Sequence, residues 1–422
     1  MLNTKSLKDQ IIQMLDFDNL ESINQLVQLN FTGQSLNEDL VRTLVSALPD
    51  IKKPKISILQ IATKSTTIIQ KLINKYQDQC HILEINLLFD SIEELEICKL
   101  IGDRYFPANG MFCVHYLTQP FLEFETHTQF DLIVGIPNNQ KVFGQQKKDL
   151  CSQFSDPLAN NLMSFIINRV MDNTHHLALI VPKYFLHNSE YSTIRNRLAS
   201  IEINTIIDYG ENGFNGSLIE TCCLIGNTKA IPSHTRVISL VAKKRLTQKQ
   251  SDITDPMFPN WILYTNEFFR SVSNKLELDQ FKAYRDRSIS SRLTLSEGDI
   301  RVLNAKNTPR DSRNITFTDN DEFVMEQDVV LTEAYKFLNS ENTYLCPNLT
   351  PHPRLFLKPP GTVASGSLAI LTPKKGSPLT QDQIEYFSSD EFKEFYRIAR
   401  NLCTRSLNID KNAVFYFGIL KN

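Results

Sequence analysis

From Lys55 to about residue 226, short apolar runs alternate with stretches of helical periodicity, and this alternation restricts the possible folds more than any other feature. Strands that alternate with helices form a mostly parallel sheet with helices on both faces. We therefore predict an α/β domain. Its ligand site should lie at the carboxyl ends of the strands, in the turns at residues 61–66 and 136–139. The predicted strands span residues 56–61, 81–87, 130–135, 177–181, 203–208 and 221–225, with helices near 68–73, 92–100 and 158–171.

The regions on either side of this alternation have different patterns. Residues 1–50 predict helices, because the capping-box sequence Ser35-Leu36-Asn37-Glu38 precedes apolar residues at helical spacing. Beyond Pro259, short β-like runs lead to a helix near residues 389–402, which predicts an α+β domain. We expect a helical segment at 1–50, the α/β domain at 51–230, a polar linker at 231–256 and the second domain at 257–422.

Composition and charge limit the classes of protein that need to be considered. The net charge of −2 does not exclude DNA binding, because a local basic face is enough to contact phosphates. No apolar run approaches the roughly eighteen residues of a membrane span, and the first residues are too polar for a secretory signal. The cysteines include no Cys-x-x-Cys pair, so we expect no metal site and a reducing, cytoplasmic location.

Several motifs follow one another in order between residues 130 and 226. The third predicted strand reads Phe-Asp-Leu-Ile-Val-Gly (130–135), and Ile-Val-Pro-Lys-Tyr-Phe-Leu (180–186) follows a helix. Tyr191 and Arg195 come next, and Phe214 precedes the strand Thr-Cys-Cys-Leu-Ile (221–225). In this order the motifs resemble those of the gamma-type adenine-N6 DNA methyltransferases of type II restriction–modification systems. The resemblance implies a Rossmann-like methyltransferase sheet.

The C-terminal part has a resemblance of its own. Residues 298–303 (Gly-Asp-Ile-Arg-Val-Leu) and 361–366 (Gly-Thr-Val-Ala-Ser-Gly) look like strands of target-recognition domains, including those of type I specificity subunits. Residues 389–407 resemble the closing helix of the same domains. This resemblance implies that residues 257–422 form a domain that recognises double-stranded DNA.

The catalytic turn departs from the family's pattern. The family has Asn, Asp or Ser followed by Pro-Pro and an aromatic residue, whereas this chain has Ile136-Pro137-Asn138-Asn139. The adenine amino group is a poor nucleophile, and the family flips the base out and accepts hydrogen bonds from that group. Ile136 has no acceptor atom, and Asn139 offers little stacking surface. A register shift would supply Asn138 as the acceptor, but no Pro-Pro-aromatic sequence follows it. We therefore predict an inactive turn.

The cofactor motifs depart from the pattern as well. The family's first strand ends Asp-Pro-Ala-x-Gly-x-Gly, whose glycines let the backbone approach S-adenosylmethionine closely. In this chain residues 60–66 read Gln-Ile-Ala-Thr-Lys-Ser-Thr, so that Lys64 and Thr66 replace both glycines. His115 stands where the family's third strand has an acid. Glu84 is the only retained candidate for the ribose hydroxyls, with an ordinary surface carboxylate as the alternative. We therefore expect no bound cofactor.

Five basic residues of the C-terminal part are candidates for contacts with DNA phosphates. Arg397 and Arg400 are three residues apart and should share the exposed side of the last predicted helix. The alternative is that these arginines form surface ion pairs with Glu391 and Glu394. The candidates are Arg354, Lys358, Arg397, Arg400 and Arg405.

Loss of the catalytic and cofactor motifs, together with an intact apolar pattern, favours a non-catalytic role. The leading hypothesis is a DNA-binding, target-recognition subunit that acts beside a catalytic methyltransferase or a nuclease in a restriction–modification or related defence system. One alternative is an active, S-adenosylmethionine-dependent adenine-N6 methyltransferase with an atypical active site. A second alternative is a protein-interaction module that does not bind DNA, which salt-dependent DNA binding would exclude.

Overall fold

The structure is a computed structural model and describes residues 4–15, 19–32, 35–61, 66–107, 111–123, 129–310, 312–348, 350, 352–375, 378–403 and 409–421. The chain forms two compact units, Met1–Asp255 and Pro256–Asn422. No helix among these residues is both long enough and apolar enough to cross a membrane.

The first unit contains the predicted alternation of strands and helices. Its helices are α1 (Thr4–Leu15), α2 (Leu20–Thr32), α3 (Glu38–Ala47), α4 (Thr67–Tyr76), α5 (Ile92–Tyr105), α6 (Gly144–Gln153), α7 (Leu162–Asn173), α8 (Ser192–Ala199) and α9 (Gln250–Ile253). Its strands are β1 (Ser35–Leu36), β2 (Lys55–Ile61), β3 (Ile82–Phe89), β4 (Phe112–Thr118), β5 (Phe130–Gly135), β6 (Thr174–Pro182), β7 (Glu202–Gly210), β8 (Phe214–Asn215), β9 (Thr221–Asn227), β10 (His234–Ser239) and β11 (Lys244–Lys249).

The central sheet has the strand order of a doubly wound fold. Its described strands lie in the order β4-β3-β2-β5-β6-β9-β7-β10-β11, and β9 runs antiparallel to both of its neighbours. Without β9, the strands β4-β3-β2-β5-β6-β7 are parallel and follow the Rossmann order 3-2-1-4-5-6, with β2 as the first strand. In this order, the side on which successive strands are added reverses between the first and the fourth strand. That reversal lies between β2 and β5, which pair in parallel. The crevice at their carboxyl ends is the place where such sheets bind ligands.

The apolar runs form strands because the sheet buries them on both faces. Ile58, Ile85 and Leu132 are each 0 % exposed and belong to one core cluster with residues of α3 and α4. Strands covered on both faces read as nearly continuous apolar runs, as these do. The prediction of an α/β, Rossmann-like fold is confirmed, and all six predicted strands are present with ends shifted by a few residues.

The segment that we expected to be a linker, residues 231–256, is part of the sheet. Strands β10 and β11 form an antiparallel hairpin, and β10 pairs in parallel with β7. The basic run Lys243-Lys244-Arg245 lies at the hairpin turn and the start of β11. Strand β11 lies at the edge of the sheet and is mostly exposed, and edge strands tolerate lysines and other polar residues. Because an exposed edge strand such as β11 is polar, its composition resembles that of a linker, which explains the wrong prediction.

The predicted capping box before α3 has a different geometry. Ser35 and Leu36 form β1, which pairs with β8. The N-cap of α3 is Asn37, whose side chain accepts a hydrogen bond from the backbone N–H of Asp39 at 2.8 Å. The helix begins at Glu38, as an Asn cap followed by an acidic first turn would give.

Gly135, at the end of β5, is held by a close approach between two strands. Its φ is +154°, and a Cβ atom at this position would lie 2.3 Å from the backbone oxygen of Ile61 in β2. Backbone atoms of two paired strands cannot move apart without breaking the ladder. We expect Gly135→Ala to lower the free energy of unfolding by about 2–4 kcal/mol, from the clash and the backbone strain together.

Urea denaturation of the full chain measures this effect, and Gly144→Ala is the matched control. Gly144 has a positive φ of +56°, but a Cβ there would meet nothing within 4 Å. The control should therefore cost only the left-handed backbone penalty of about 1–2 kcal/mol. Equal losses for the two variants would contradict the steric argument.

The second unit has an α+β architecture, in the region where the loss of alternation predicted one. Its helices are α10 (Glu267–Lys275), α11 (Glu326–Val329), α12 (Gln381–Tyr386), α13 (Asp390–Ala399) and α14 (Lys411–Val414). Its strands are β12 (Leu276–Glu277), β13 (Phe281–Tyr284), β14 (Ile300–Leu303), β15 (Glu322–Val324), β16 (Tyr344–Pro347), β17 (Phe356–Leu357), β18 (Thr362–Ala364), β19 (Leu368–Pro373) and β20 (Ile419–Leu420). The described strands form sheets in the orders β13-β19-β16-β17, β15-β14-β18 and β12-β20.

Candidate functional site

A cavity of about 280 Å³ lies at the carboxyl ends of β2, β5 and β6. It is at the point where the strand order reverses, and it includes residues of the turn after β5. Most of its lining is apolar, with a small number of amide, carboxylate and hydroxyl groups. The lining residues are Gln28, Leu36, Gln60, Ile61, Ile68, Asp90, Gly135, Ile136, Pro137, Asn138, Asn139, Ile180, Val181, Pro182, Phe214, Ile219 and Thr221.

Two side-chain groups of the turn after β5 are hydrogen-bonded to the protein itself. Ile136 packs against the apolar core of the sheet. The side-chain oxygen of Asn138 accepts a hydrogen bond from the backbone N–H of Gln140 at 2.9 Å. The side-chain amide of Asn139 donates to the hydroxyl of Tyr184 at 2.8 Å. The first position of the turn therefore presents an aliphatic side chain at the place where the resembling family has a hydrogen-bond acceptor.

Asp90 is a candidate residue that the sequence interpretation missed. A second cavity, of about 530 Å³, shares Ile61, Asp90, Pro137 and Asn138 with the first. Asp90 directly follows Phe89, the last residue of β3, so it stands at the carboxyl end of the second parallel strand. An acid that follows the second strand of a Rossmann-type sheet is placed to bond the ribose hydroxyls of a nucleotide-like cofactor.

The assignment of that role to Glu84 is wrong. Glu84 is the third residue of β3, near the amino end of the strand. Its carboxylate pairs with the ammonium of Lys55 at 2.7 Å and with Nε2 of His115 at 3.2 Å. Because the predicted strand ended at residue 87, Asp90 was left in the following turn. The available signal was an acid immediately after the apolar run 87–89.

The residues around the end of β2 fit S-adenosylmethionine only in part. Asp90 supplies a carboxylate in the position suited to ribose. Gln60, where the family has an acid, is 3 % exposed and lines the first cavity. Thr66 is fully buried, and its backbone N–H and hydroxyl both donate to the side-chain oxygen of Asn24, at 2.8 and 2.9 Å. Lys64 lies outside the described residues. The ribose position therefore fits such a cofactor, whereas the turn at Ile136 does not fit the activation of an adenine amino group.

A buried ion cluster lies beside the first cavity. Lys183 begins the 3-10 turn Lys183–Leu186 after β6 and is 1 % exposed. Its ammonium lies 2.8 Å from a carboxylate oxygen of Asp208, which is 0 % exposed, and 3.5 Å from Glu220, which is 8 % exposed. Its backbone N–H donates to the carbonyl oxygen of Glu220 at 2.7 Å. The flanking residues Pro182 and Thr221 both line the cavity, so this cluster fixes one wall of it.

Three of the five basic residues that were candidates for DNA contacts are buried. Lys358 is 0 % exposed, and its ammonium donates to the carbonyl oxygens of Leu338 and Pro359 at 2.9 and 3.1 Å. Burial lowers the pKa of Lys358 to about 8. Arg354 is 8 % exposed and Arg400 is 4 % exposed. Burial removes these three side chains from an open DNA-facing surface.

The remaining two candidates for DNA contacts are Arg397 and Arg405. Arg397 is exposed and forms two hydrogen bonds to Glu394, at 2.8 and 3.1 Å, which is the surface ion pair given as the alternative. Helix α13 ends at Ala399, so Arg400 is its C-cap and does not share the exposed face of Arg397. Arg405 lies outside the described residues.

A basic groove in the second unit was not foreseen from the sequence. It has a volume of about 510 Å³, and we call it the serine–arginine groove. Its single carboxylate, Glu322, lies 3.5 Å from the side-chain nitrogen of Asn304. The Arg285 guanidinium donates to the carbonyl oxygen of Gly366 at 3.1 Å. The groove is lined by Arg285, Arg287, Ile289, Ser290, Ser291, Thr294, Asn304, Ala305, Lys306, Glu322, Ser365, Gly366 and Ser367.

The cysteines and the acidic side chains offer little chemistry elsewhere. All eight cysteines are free thiols, and Cys222 and Cys223 are buried in β9. Burial raises the pKa of Cys223 well above its usual value, so it remains a neutral thiol. Within the described ranges, no group of three or more His, Cys, Asp or Glu side chains could hold a metal ion.

Comparisons with known proteins give similarity of fold. No protein-family model and no curated protein matches the sequence. The DNA-bound, ATP-dependent type ISP restriction–modification enzyme LlaBIII is similar over 97 % of this chain and 40 % of its own length, with a TM-score of 0.50 and 10 % sequence identity. A modification subunit of a putative type I restriction enzyme from Vibrio vulnificus YJ016 has a TM-score of 0.41 and 11 % identity, over 57 % of this chain. A putative class I S-adenosylmethionine-dependent methyltransferase from Listeria monocytogenes has a TM-score of 0.40 and 14 % identity, over 57 % of this chain and 74 % of its own.

The structural matches cover only part of the compared chains and have low sequence identity. The matched segments span 53 % of the Vibrio subunit and 40 % of LlaBIII, so each comparison concerns only part of the other protein. At such low identities the similarity concerns the fold. The strand order of the central sheet and the similarity to LlaBIII agree on a Rossmann-like α/β fold.

Proposed function

We propose that this protein binds double-stranded DNA and does not methylate it, acting as a recognition or positioning subunit beside a catalytic methyltransferase or a nuclease. The system would be a restriction–modification system or a related defence system. The observation that carries the non-catalytic part is the side chain of Ile136 at the first position of the turn after β5. It packs against the core at the site where adenine methylation requires an acceptor.

The chemistry of the adenine amino group explains why the first position of the turn decides whether the protein can methylate. The lone pair of the adenine N6 atom is delocalised into the ring, so an enzyme must accept hydrogen bonds from N6 as charge develops on it. Removing one such preorganised hydrogen bond costs about 10²–10³-fold in rate. Asn138 and Asn139 come two and three residues after the first position of the turn, and their side chains are anchored to the Gln140 backbone N–H and to the Tyr184 hydroxyl.

Support for DNA binding comes from the second unit. The serine–arginine groove combines the cations Arg285, Arg287 and Lys306 with five serine and threonine hydroxyls. Arginine, lysine and hydroxyl side chains are the groups that most often contact DNA phosphates. LlaBIII, whose fold is similar over nearly the whole chain, is a DNA-bound enzyme. The groove therefore offers exposed cations, whereas Arg354, Lys358 and Arg400 are buried.

Asp90 favours a second candidate function, an S-adenosylmethionine-dependent adenine-N6 methyltransferase with an atypical active site. Asp90 lines both cavities at the switch point and is in the position suited to ribose hydroxyls. When bound there, S-adenosylmethionine would supply the methyl group. The chain's own part would be to hold the ribose through Asp90, and the acceptor for the amino group would have to come from elsewhere than Ile136.

A calorimetric titration separates the two candidates. We expect no heat when S-adenosylmethionine is added at high micromolar concentration, with or without a mixed-sequence duplex, and salt-sensitive heat when the duplex alone is added. A methyl-transfer assay on adenine-containing DNA should remain at the background rate. Heat from the cofactor that disappears in Asp90→Asn would favour the methyltransferase. Absence of duplex binding would favour a protein-interaction module.

A further inference from the structure

The second unit contains a small pocket whose described charged lining residues are all basic. The pocket has a volume of about 230 Å³, and we call it the basic pocket. It lies between the loop after residue 307, the loop before β17 and the start of α13. Among the described residues, no carboxylate lines it. Its polar lining residues are Arg310, Arg313, His352, Arg354, Ser388 and Lys393.

Arg354 is a buried cation without a described counter-ion. Its guanidinium donates to the carbonyl oxygen of Thr308 at 2.8 Å and to that of His352 at 3.2 Å, and both acceptors are neutral. Burial lowers the pKa of Arg354, and the like charges of Arg310 and Arg313 lower it further. A buried charge is costly unless an opposite charge compensates it.

Two buried polar atoms of the lining also have no hydrogen-bond partner among the described residues. They are Nε of Arg354 and the hydroxyl oxygen of Ser388, which belong to residues only 8 % and 7 % exposed. Buried polar groups are nearly always hydrogen-bonded, so these two donors remain available to an acceptor that enters the pocket. Both atoms are hydrogen-bond donors, and an anion with several acceptor oxygens would satisfy them.

The rim of the pocket has the same charge as its floor. The pKa of His352 is lowered by partial burial and by the positive charges of Arg310, Lys393 and Arg354. Lys393 pairs with Asp390 at 3.1 Å, but the Asp390 side chain is 100 % exposed, and such a surface pair contributes little. Four permanent cations and one imidazole therefore surround a cavity of about 230 Å³.

We propose that the basic pocket binds a phosphate group. A phosphate offers several acceptor oxygens and a negative charge, and planar guanidinium groups match its geometry. The phosphate can belong to a DNA backbone, which rests on the proposed function, or to a free phosphate or mononucleotide, which does not. Arg354 and Ser388 hold it from the floor, and Arg310 and Lys393 hold it from the rim.

Inorganic phosphate is the first probe, added to the full-length protein. The NMR signals of the His352 ring, assigned by their loss in His352→Gln, are expected to shift when phosphate is titrated. The pKa of His352 should rise, because the bound anion offsets the surrounding cations. Arg310→Gln combined with Lys393→Gln should weaken phosphate binding at least about tenfold, because two charge-assisted contacts are lost. Lys375→Gln, an exposed lysine that does not line the pocket, should leave it unchanged.

Ser388→Ala tests the floor without disturbing the fold. The variant removes a hydroxyl that has no described partner, so the thermal unfolding midpoint of the phosphate-free protein should not fall. Phosphate binding should nevertheless weaken severalfold. If phosphate shifts none of the His352 signals, the proposal is wrong.

A short duplex then identifies the source of the phosphate. Weaker duplex binding by the Arg310/Lys393 variant would assign the pocket to a DNA backbone phosphate. Unchanged duplex binding, with phosphate binding weakened, would assign it to a free phosphate or mononucleotide and leave the proposed function intact. Phosphate binding by a protein that binds no duplex would support the pocket and overturn the proposed function.

Discussion

Replacing Lys183 with methionine is expected to lower the free energy of unfolding by about 3–5 kcal/mol, as is usual when one partner of a buried ion pair is removed. Lys183 is 1 % exposed, and its ammonium lies 2.8 Å from Asp208 and 3.5 Å from Glu220. Methionine preserves most of the side-chain volume, so the loss of charge is the main change. The two carboxylates would then be buried without this cation between them.

The matched control removes all three charges together. In the variant that combines Lys183→Met, Asp208→Asn and Glu220→Gln, no charge of the cluster remains uncompensated. This variant should recover most of the stability, because neutral groups of similar shape often replace a buried ion cluster at little cost. Urea denaturation of the three proteins at pH 7 gives the comparison. A Lys183→Met protein within about 0.5 kcal/mol of the wild type would show that the cluster contributes little.

This cluster gives a structural role to a motif that resembles one of methyltransferases. The sequence Ile-Val-Pro-Lys-Tyr-Phe-Leu (180–186) resembles a methyltransferase motif, yet in the structure Lys183 compensates buried carboxylates of β7 and of the segment before β9. Its backbone also bonds to Glu220. The motif therefore has a structural role that a non-methylating protein would still need.

The sheet could be predicted from the sequence because its signal is local. Residues 130–135 form β5 as predicted, since a short, mostly apolar run that ends in Gly and a Pro-containing turn favours a buried strand. The hairpin of β10 and β11 was missed because β10 has only a short apolar run and β11 has none. Strand β11 has mostly exposed residues and resembles a polar loop in composition.

The site could be predicted only where it follows a strand end directly. Ile136 directly follows β5, whose end was predicted at residue 135, whereas Asp90 was missed because the predicted end of β3 was two residues early. The burial of Lys358 and Arg354 depends on carbonyl oxygens of residues 338 and 308, far away in the sequence. The serine–arginine groove likewise joins residues 285–294, 304–306 and 365–367, which no spacing rule connects.

Neutralising Arg287 and Lys306 together is expected to weaken duplex binding by about 10–100-fold at low salt, if each contacts one phosphate. Both residues line the serine–arginine groove and are exposed. Arg285 is left intact, because its bond to the carbonyl oxygen of Gly366 supports the loop. The double variant Arg287→Gln, Lys306→Gln therefore removes charge without removing a described internal contact.

The salt dependence of duplex binding distinguishes direct phosphate contacts from a general loss of charge. Each phosphate contact contributes about 0.9 to the slope of log affinity against log salt concentration, so the double variant should lower the slope by about 1.8. Lys282→Gln, Lys375→Gln makes the same change in net charge at exposed lysines outside the groove. This control should keep the wild-type slope.

If the two double variants lower the slope equally, the groove is not where the duplex binds, and binding reflects the overall charge of the second unit. A lower slope in the groove variant alone would locate the phosphate contacts on the loops that carry Arg287 and Lys306, because counter-ions are released only where a cation replaces them at a phosphate.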